Sequence, residues 1–168
     1  MEIFLVEGVG TGPTTLAAFD ASLRAAGIAN FNIIPLSSII PPQSKIEVVK
    51  SIPKTQEIGN WGDRLYVVIA NKRVDTPNEE AWAGIGWVQN EENRKGLFVE
   101  HVGSNKKTVE RDIRATLESL MDGRKDETFG EITMEIVGIT CTQEPVSALV
   151  CAVYKSSPWD RKFNPFKK

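Results

Sequence analysis

Ser37 and Ser38 are adjacent hydroxyls inside an apolar run, Asn32-Ile33-Ile34-Pro35-Leu36-Ser37-Ser38-Ile39-Ile40-Pro41-Pro42, that stops at a double proline. An unpaired hydroxyl in apolar surroundings costs roughly 1–3 kcal/mol, so buried strands normally avoid one. One explanation is a strand end, where serine is common and the prolines stop pairing. The other is self-cleavage. The Ser38 hydroxyl can attack the Ser37 carbonyl where a turn holds the two close, converting an amide into an ester. Elimination across Cα and Cβ of Ser38 then releases the upstream fragment, and the dehydroalanine left behind hydrolyses to a pyruvoyl group. A chain that does this makes its own electrophile, and the fold has only to orient it.

Three further residues have the chemistry to serve such a centre. Asp20 lies four residues after Leu16 and three before Leu23, so it projects from or beside the apolar stripe of a helix. It either meets a cation there or sits at the solvent edge of the stripe, paired with Arg24 at i+4. Glu100 belongs to the stretch Gly96–Val102. If that is a strand, Phe98, Glu100 and Val102 share one face while Leu97, Val99 and His101 share the other. Apolar neighbours on both sides would favour the protonated carboxyl, which suits a proton donor, whereas an edge strand would leave an ordinary carboxylate in water. Asn32 precedes the cleavage position closely enough that its carboxamide is a candidate donor to the oxyanion formed when Ser38 attacks. His101 faces away and receives no role.

The elements that must position these groups are legible as periodic stretches. Strands are expected over Glu2–Glu7, Asn32–Ile40, Arg64–Ala70, Trp82–Val88, Gly96–Val102, Glu131–Thr142 and Ser147–Lys155, each rich in Val, Ile, Phe or Tyr and bounded by turn residues. One helix opens at Pro13 and closes at Gly27, with Leu16, Phe19, Leu23 and Ala26 as its stripe. A second runs from about Thr108 to Asp122, ends at Gly123, and carries Val109, Ile113, Leu117 and Leu120 or Met121 on one side. Many strands with two well-separated amphipathic helices predict an α/β (α+β) sandwich with mixed or largely antiparallel sheets.

Composition removes several classes of function. The chain has 168 residues, 41% of them hydrophobic and 25% charged, as expected of one ordinary globular domain. A net charge of −2 gives no attraction to nucleic acid or anionic membrane. With no signal-peptide pattern and no bilayer-length apolar run, the expected location is cytoplasmic. A single histidine leaves no metal-ligand constellation. Cys141 and Cys151 flank a turn at Gln143-Glu144-Pro145 and are expected as small buried thiols, although a symmetric hairpin would bring them near one another. Gly8-Val9-Gly10-Thr11-Gly12 has the look of a phosphate-binding turn but lacks the lysine and spacing of one, so tight packing at a helix start is expected. Trp82-Ala83-Gly84-Ile85-Gly86-Trp87 alternates small and large residues, which suggests close layer packing or a subunit contact. The tail 156–168, with Trp159, Phe163 and Phe166 among basic residues, is expected to pack on a neighbour or remain loose.

Taken together, these residues resemble the pyruvoyl-dependent arginine decarboxylases. The resemblance is carried by Glu7-Gly8-Val9-Gly10-Thr11-Gly12, Ala18-Phe19-Asp20-Ala21-Ser22-Leu23, Ala26-Gly27-Ile28, Asn32, Ser37-Ser38-Ile39-Ile40-Pro41 and Gly96-Leu97-Phe98-Val99-Glu100. It covers most of residues 1–155, expected as one domain that is cut between Ser37 and Ser38 into chains 1–37 and 38–168. It implies a four-layer αββα sandwich, assembled as a trimer or a dimer of trimers. It also implies decarboxylation of L-arginine to agmatine through a covalently bound pyruvoyl group derived from Ser38. Glu100 would be the proton donor, Asp20 the partner of the substrate guanidinium, and Asn32 a participant in processing. Another pocket on this scaffold would take another amino acid, and an uncut chain would be a binding protein.

Overall fold

The computed structural model describes residues 1–52 and 58–159. β1 (Glu2–Thr11) sends Ile3 and Leu5 to one face and Phe4 and Val6 to the other, and both faces are covered. A strand apolar on both sides belongs in the middle of a layered structure. The chain continues through α1 (Thr15–Ala25), β2 (Asn32–Pro35), β3 (Ile39–Ile40), β4 (Lys45–Val48), β5 (Arg64–Val74), β6 (Glu80–Gln89), β7 (Gly96–Gly103), α2 (Lys106–Asp122), β8 (Thr133–Thr140) and β9 (Val146–Ser157).

The strands form two sheets. One has the order β2-β5-β9-β1-β4 and mixes parallel and antiparallel pairs. The other has the order β3-β7-β6-β8 and is antiparallel throughout. Three apolar clusters separate four layers. Ile3, Leu5, Ile40, Ile85, Phe98 and Ala148 belong to the cluster between the sheets. Val6, Ala26, Leu65 and Cys151 belong to the cluster under α1, and Val88, Val99, Val109, Ile113 and Leu117 to the cluster under α2. The αββα layering expected from the resemblance is present. Each fully buried Leu or Ile in these clusters contributes about 1.5–3 kcal/mol.

Both helices start on side-chain caps. The Thr14 hydroxyl accepts from the Ala17 N–H at 3.1 Å, and the Asn105 carboxamide oxygen from the Thr108 N–H at 2.8 Å. α1 ends against Gly27, whose φ of +76° is the left-handed stop that glycine supplies. Val109, Ile113 and Leu117 are fully buried, so the stripe expected of α2 is its inner face. The stripe expected of α1 holds in part: Ala26 is buried and Phe19 and Leu23 pack against the cluster beneath, but Ala18 and Ser22 also face inward and Leu16 is 67% exposed. The cause is distance. A Cβ at Gly8 would stand 2.1 Å from the Ser22 carbonyl oxygen, and one at Gly10 2.5 Å from the Ala18 carbonyl oxygen. α1 rides so low over β1 that only small side chains fit the line of contact. The glycine run is therefore mostly strand, where a loop was expected, and its glycines serve close packing.

Several boundaries also move. The expected strand Asn32–Ile40 is two strands in different sheets, joined by Leu36–Ser38, and β4 was not anticipated. β9 extends to Ser157, through the first residues assigned to the tail. Cys141 and Cys151 are buried and free, as expected of small core residues. They do not flank a hairpin, because β8 and β9 belong to opposite sheets. Burial pushes the Cys151 thiol well up from its ordinary value, which makes it inert. Gly84 and Gly86 of β6 face α2, where a Cβ at Gly86 would meet Ile113 at 2.2 Å, so the small–large alternation serves helix-on-sheet packing. No helix among the described residues is long and apolar enough to cross a membrane.

Candidate active site

The segment Leu36–Ser38 carries the chain from the outermost strand of one sheet to the outermost strand of the other. The Leu36 N–H still donates to the Val67 carbonyl at 2.8 Å, in the register of β2 beside β5. Two residues later, the Ser38 carbonyl accepts from the Phe98 N–H at 2.8 Å, in the register of β3 beside β7. The Ser37–Ser38 peptide thus spans the gap between sheets, outside either ladder. Ser38 has a φ of +63°, the left-handed region that a non-glycine residue enters at a cost of roughly 1–3 kcal/mol.

Glu100 is brought to this point by β7. Its Oε1 and Oε2 both accept from the Ser38 hydroxyl, at 3.0 and 2.8 Å. The two residues are 62 apart in sequence and meet because β3 pairs with β7 across Ile39 and Leu97. Alternation along β7 is as expected: Phe98 points into the core between the sheets, and His101 points the other way, with its Nε2 at 2.8 Å from the Thr116 hydroxyl. The shielding expected of Glu100 is absent. Val102 is 46% exposed and Glu100 is itself exposed in the single chain, because β7 runs on beyond the cover of the opposite sheet.

Tyr154 of β9 closes the other flank, and its part was not foreseen. Its hydroxyl donates to the Ile39 carbonyl at 2.9 Å. Burial first, and the Glu100 carboxylate second, push this phenol well up from its ordinary value, so it stays a donor. Its ring meets Phe98 edge-on at 6.2 Å. A tyrosine following the stretch Val146–Val153, apolar apart from Ser147, was the one weak signal, since a buried phenol needs a partner. A cavity of about 280 Å³ lined by Met1, Leu36, Pro41, Tyr66, Tyr154 and Lys155 opens beside this flank.

The other two candidates stand apart. Asp20 lies on the outward side of α1 and pairs with Arg24 at 2.9 Å, the solvent-edge alternative of the sequence reading. Asn32 sits at the far end of β2. Its Nδ2 donates to the Gly62 carbonyl at 2.5 Å, and four extended residues place it about 10 Å along the strand from Pro35. The expectation that Asn32 reaches the Ser37 carbonyl within its own chain is therefore not met. Closeness in sequence along a strand is separation in space. Gly62 also accepts from the Trp159 indole at 2.9 Å, with Arg64 over the Trp159 ring. Phe163 and Phe166 lie outside the described residues.

Residue 38 fits conversion to a pyruvoyl group on three counts. Its carbonyl and that of Ile39 are pinned by separate donors, its hydroxyl is held by a carboxylate, and no ladder bond must break for the peptide before it to be cut.

Residues 2–157 match the family model described as pyruvoyl-dependent arginine decarboxylase (PvlArgDC). The pyruvoyl-dependent arginine decarboxylase of Thermoplasma volcanium is 36% identical over 102 residues, which cover 60% of this chain and 54% of the relative. That of Pyrococcus horikoshii is 31% identical over 152 residues, covering 89% and 91%. Pyruvoyl-dependent arginine decarboxylase 2 of Archaeoglobus fulgidus is 28% identical over 159 residues, covering 91% and 95%. The matched part of the chain thus spans about half the length of the first relative and nearly all of the other two. A solved structure of pyruvoyl-dependent histidine decarboxylase at pH 8 superposes with a TM-score of 0.50 over 90% of this chain and 70% of that chain. At 12% identity, that likeness concerns the fold.

Proposed function

The chain belongs to the pyruvoyl-dependent arginine decarboxylases, and from that premise we propose that it converts L-arginine into agmatine and carbon dioxide, using a pyruvoyl group made from its own Ser38. The observation that carries this reading is the Ser38 hydroxyl, held by both oxygens of Glu100 at the crossing between the sheets.

Serinolysis starts from that contact. The hydroxyl attacks the Ser37 carbonyl, the amide nitrogen leaves as the amine of residue 38, and an ester replaces the peptide bond. Loss of the Cα proton expels the Ser37 carboxylate, and water then replaces the nitrogen as ammonia to leave a ketone. Left-handed strain at Ser38 is concentrated where the chain is cut, and cleavage relieves it. The hydroxyl oxygen departs with Ser37, which frees both oxygens of Glu100 beside residue 38.

Once formed, the group supplies a ketone that captures the substrate amine and an adjoining carbonyl that takes up electron density as carbon dioxide departs. Glu100 delivers the proton to the α-carbon. Tyr154 holds the Ile39 carbonyl and with it the direction of residue 38. Asp20 binds the guanidinium fork through its carboxylate. Because Asp20 and Asn32 lie away from Ser38 in one chain, their roles need a neighbouring copy to present them, as an assembly of three protomers would allow.

The test is an intact mass under denaturing conditions, with an assay of agmatine formed from arginine. Fragments of residues 1–37 and of a ketone-blocked 38–168, together with agmatine, are expected. One uncut mass near 18.6 kDa that persists on incubation would sink the reading.

A further inference from the structure

The Phe98 backbone N–H donates to the Ser38 carbonyl oxygen at 2.8 Å, one residue before β3 begins. It is held rigidly: β7 is paired on both sides, and the Phe98 side chain is 1% exposed, edge-on to Trp87 and Tyr154. The Tyr154 bond to the Ile39 carbonyl fixes the following peptide, so the carbonyl of residue 38 cannot turn away.

We propose that the Phe98 N–H is an oxyanion donor that works twice, in making the electrophile and in using it. The inference rests on the pyruvoyl reading above. During elimination, the Cα–H bond of residue 38 breaks and the proton passes to water acting as base. The electron pair moves onto the residue-38 carbonyl oxygen. It returns to form the Cα=Cβ bond as the Cβ–Oγ bond breaks, and Ser37 leaves as a carboxylate. In turnover, the Phe98 N–H would face the same oxygen, where a pyruvoyl group would take up the electron pair left by departing carbon dioxide until the substrate α-carbon is protonated. The ground-state carbonyl already accepts this bond, so only its strengthening counts. A hydrogen bond to an anionic oxygen is roughly twice as strong as one to a neutral oxygen, and that difference lowers both barriers.

Side-chain substitution cannot remove a backbone donor, but an amide-to-ester exchange in the full chain can. Replacing Phe98 by its α-hydroxy acid deletes this N–H. The same exchange at Val99, where strand alternation turns the N–H toward β6, deletes an ordinary ladder donor and serves as the control. The Phe98 ester should accumulate the chain-internal ester at residues 37–38, detected as hydroxylamine cleavage between those two residues, which differs in fragment mass from cleavage at the installed backbone ester. Its fragments should appear about 10²-fold more slowly than those of the Val99 control, and once it is cleaved its kcat should fall comparably with KM little changed. Equal processing rates in the two variants would overturn the role of Phe98 alone. An unmodified chain that yields no fragments would overturn the pyruvoyl reading as well. Should the Phe98 ester fail to fold, the unmodified enzyme decides: with ¹³C at the residue-38 carbonyl, its infrared band should lie at a hydrogen-bonded frequency, and a free-carbonyl frequency would overturn the proposal.

Discussion

At the scale of single residues, the site divides into groups whose atoms react and groups whose oxygens hold. In the proposed serinolysis Ser38 supplies the nucleophile, whereas Ser37 supplies only a carbonyl. Ser38→Ala should therefore leave the chain uncut, and Ser37→Ala should still yield two fragments, both read by denaturing mass spectrometry. Loss of cleavage in Ser37→Ala would mean that its hydroxyl takes part. Glu100→Gln separates two jobs, because the carboxamide oxygen can still accept from the Ser38 hydroxyl but cannot deliver a proton to carbon. Fragments should form, while agmatine production falls about 10²-fold or more, the usual worth of a positioned acid. Normal turnover by that variant would remove the proton-donor assignment. Ser38 and Glu100 were singled out through the family resemblance, since on its own the Ser-Ser run reads equally as a strand end and Glu100 as an edge-strand carboxylate in water; the structure brings the two into contact. Tyr154 and the Phe98 N–H were not read. A phenol within a strand carries little signal until its partner is known, and a backbone donor carries none. Alternation also gave the face of Glu100 without giving its exposure, since it is blind to where the opposing sheet stops.

At the scale of elements, the glycines of β1 decide how α1 lies, and through it where Asp20 points. Gly10→Ala would put a Cβ 2.5 Å from the Ala18 carbonyl oxygen and 2.7 Å from the Ala21 Cβ. The Ser22 nitrogen stands equally close at 2.5 Å, and backbone atoms cannot turn aside. The helix must rise from the sheet, at a cost of about 1–3 kcal/mol. For a domain of this size each 1 kcal/mol lowers Tm by about 2–4 °C, so calorimetry should register the change, and an unaltered Tm would show that α1 is not seated as described. Close approach also explains why Leu16 does not belong to the inner face of α1, although Phe19, Leu23 and Ala26 do. Large apolar residues mark the inner face only where there is room for them, and here Leu16 is displaced outward by Ala18 and Ser22. α2, which meets β6 through full-sized Val109, Ile113 and Leu117, was legible from period alone. The split of Asn32–Ile40 into β2 and β3 escaped notice because a run of apolar residues does not say which sheet it joins. β4 escaped because four residues with two charges present almost no pattern.

At the scale of the whole molecule, the two open edges of the sandwich differ in character. The edge opposite Ser38 holds a cavity of about 240 Å³ lined in part by Glu7, Lys50 and Glu135. Burial, then the neighbouring Glu7 charge, raises the Glu135 carboxyl above its ordinary value, with Lys106 opposing. The folded chain therefore holds this proton more tightly than the unfolded chain does, and the stabilisation is complete below the unfolded value near 4.5 and lost as pH rises through the folded one. Glu135→Gln should accordingly be more stable than the parent at neutral pH, with the gap closing on acidification below about 4.5; a pH-independent gap in chemical melts would refute this. The edge carrying Ser38 raises a different question, whether the molecule survives its own cleavage. The proposed cut would leave β1, α1 and β2 on residues 1–37 and every other strand on the larger fragment. β1 is not peripheral: it lies between β9 and β4, pairs with β9 from Phe4 to Thr11, and buries Ile3, Leu5 and Val6 almost completely. Its departure would empty both the cluster between the sheets and the cluster under α1. The short fragment should therefore stay bound after cleavage, so that native mass spectrometry reports one non-covalent unit per cut chain and only denaturant separates the pieces. Spontaneous loss of residues 1–37 from native protein would contradict the central position of β1. Such retention would let the Ser37–Ser38 bond, lying between ladders, be broken as proposed without disturbing the frame that holds Glu100 and Tyr154 beside residue 38.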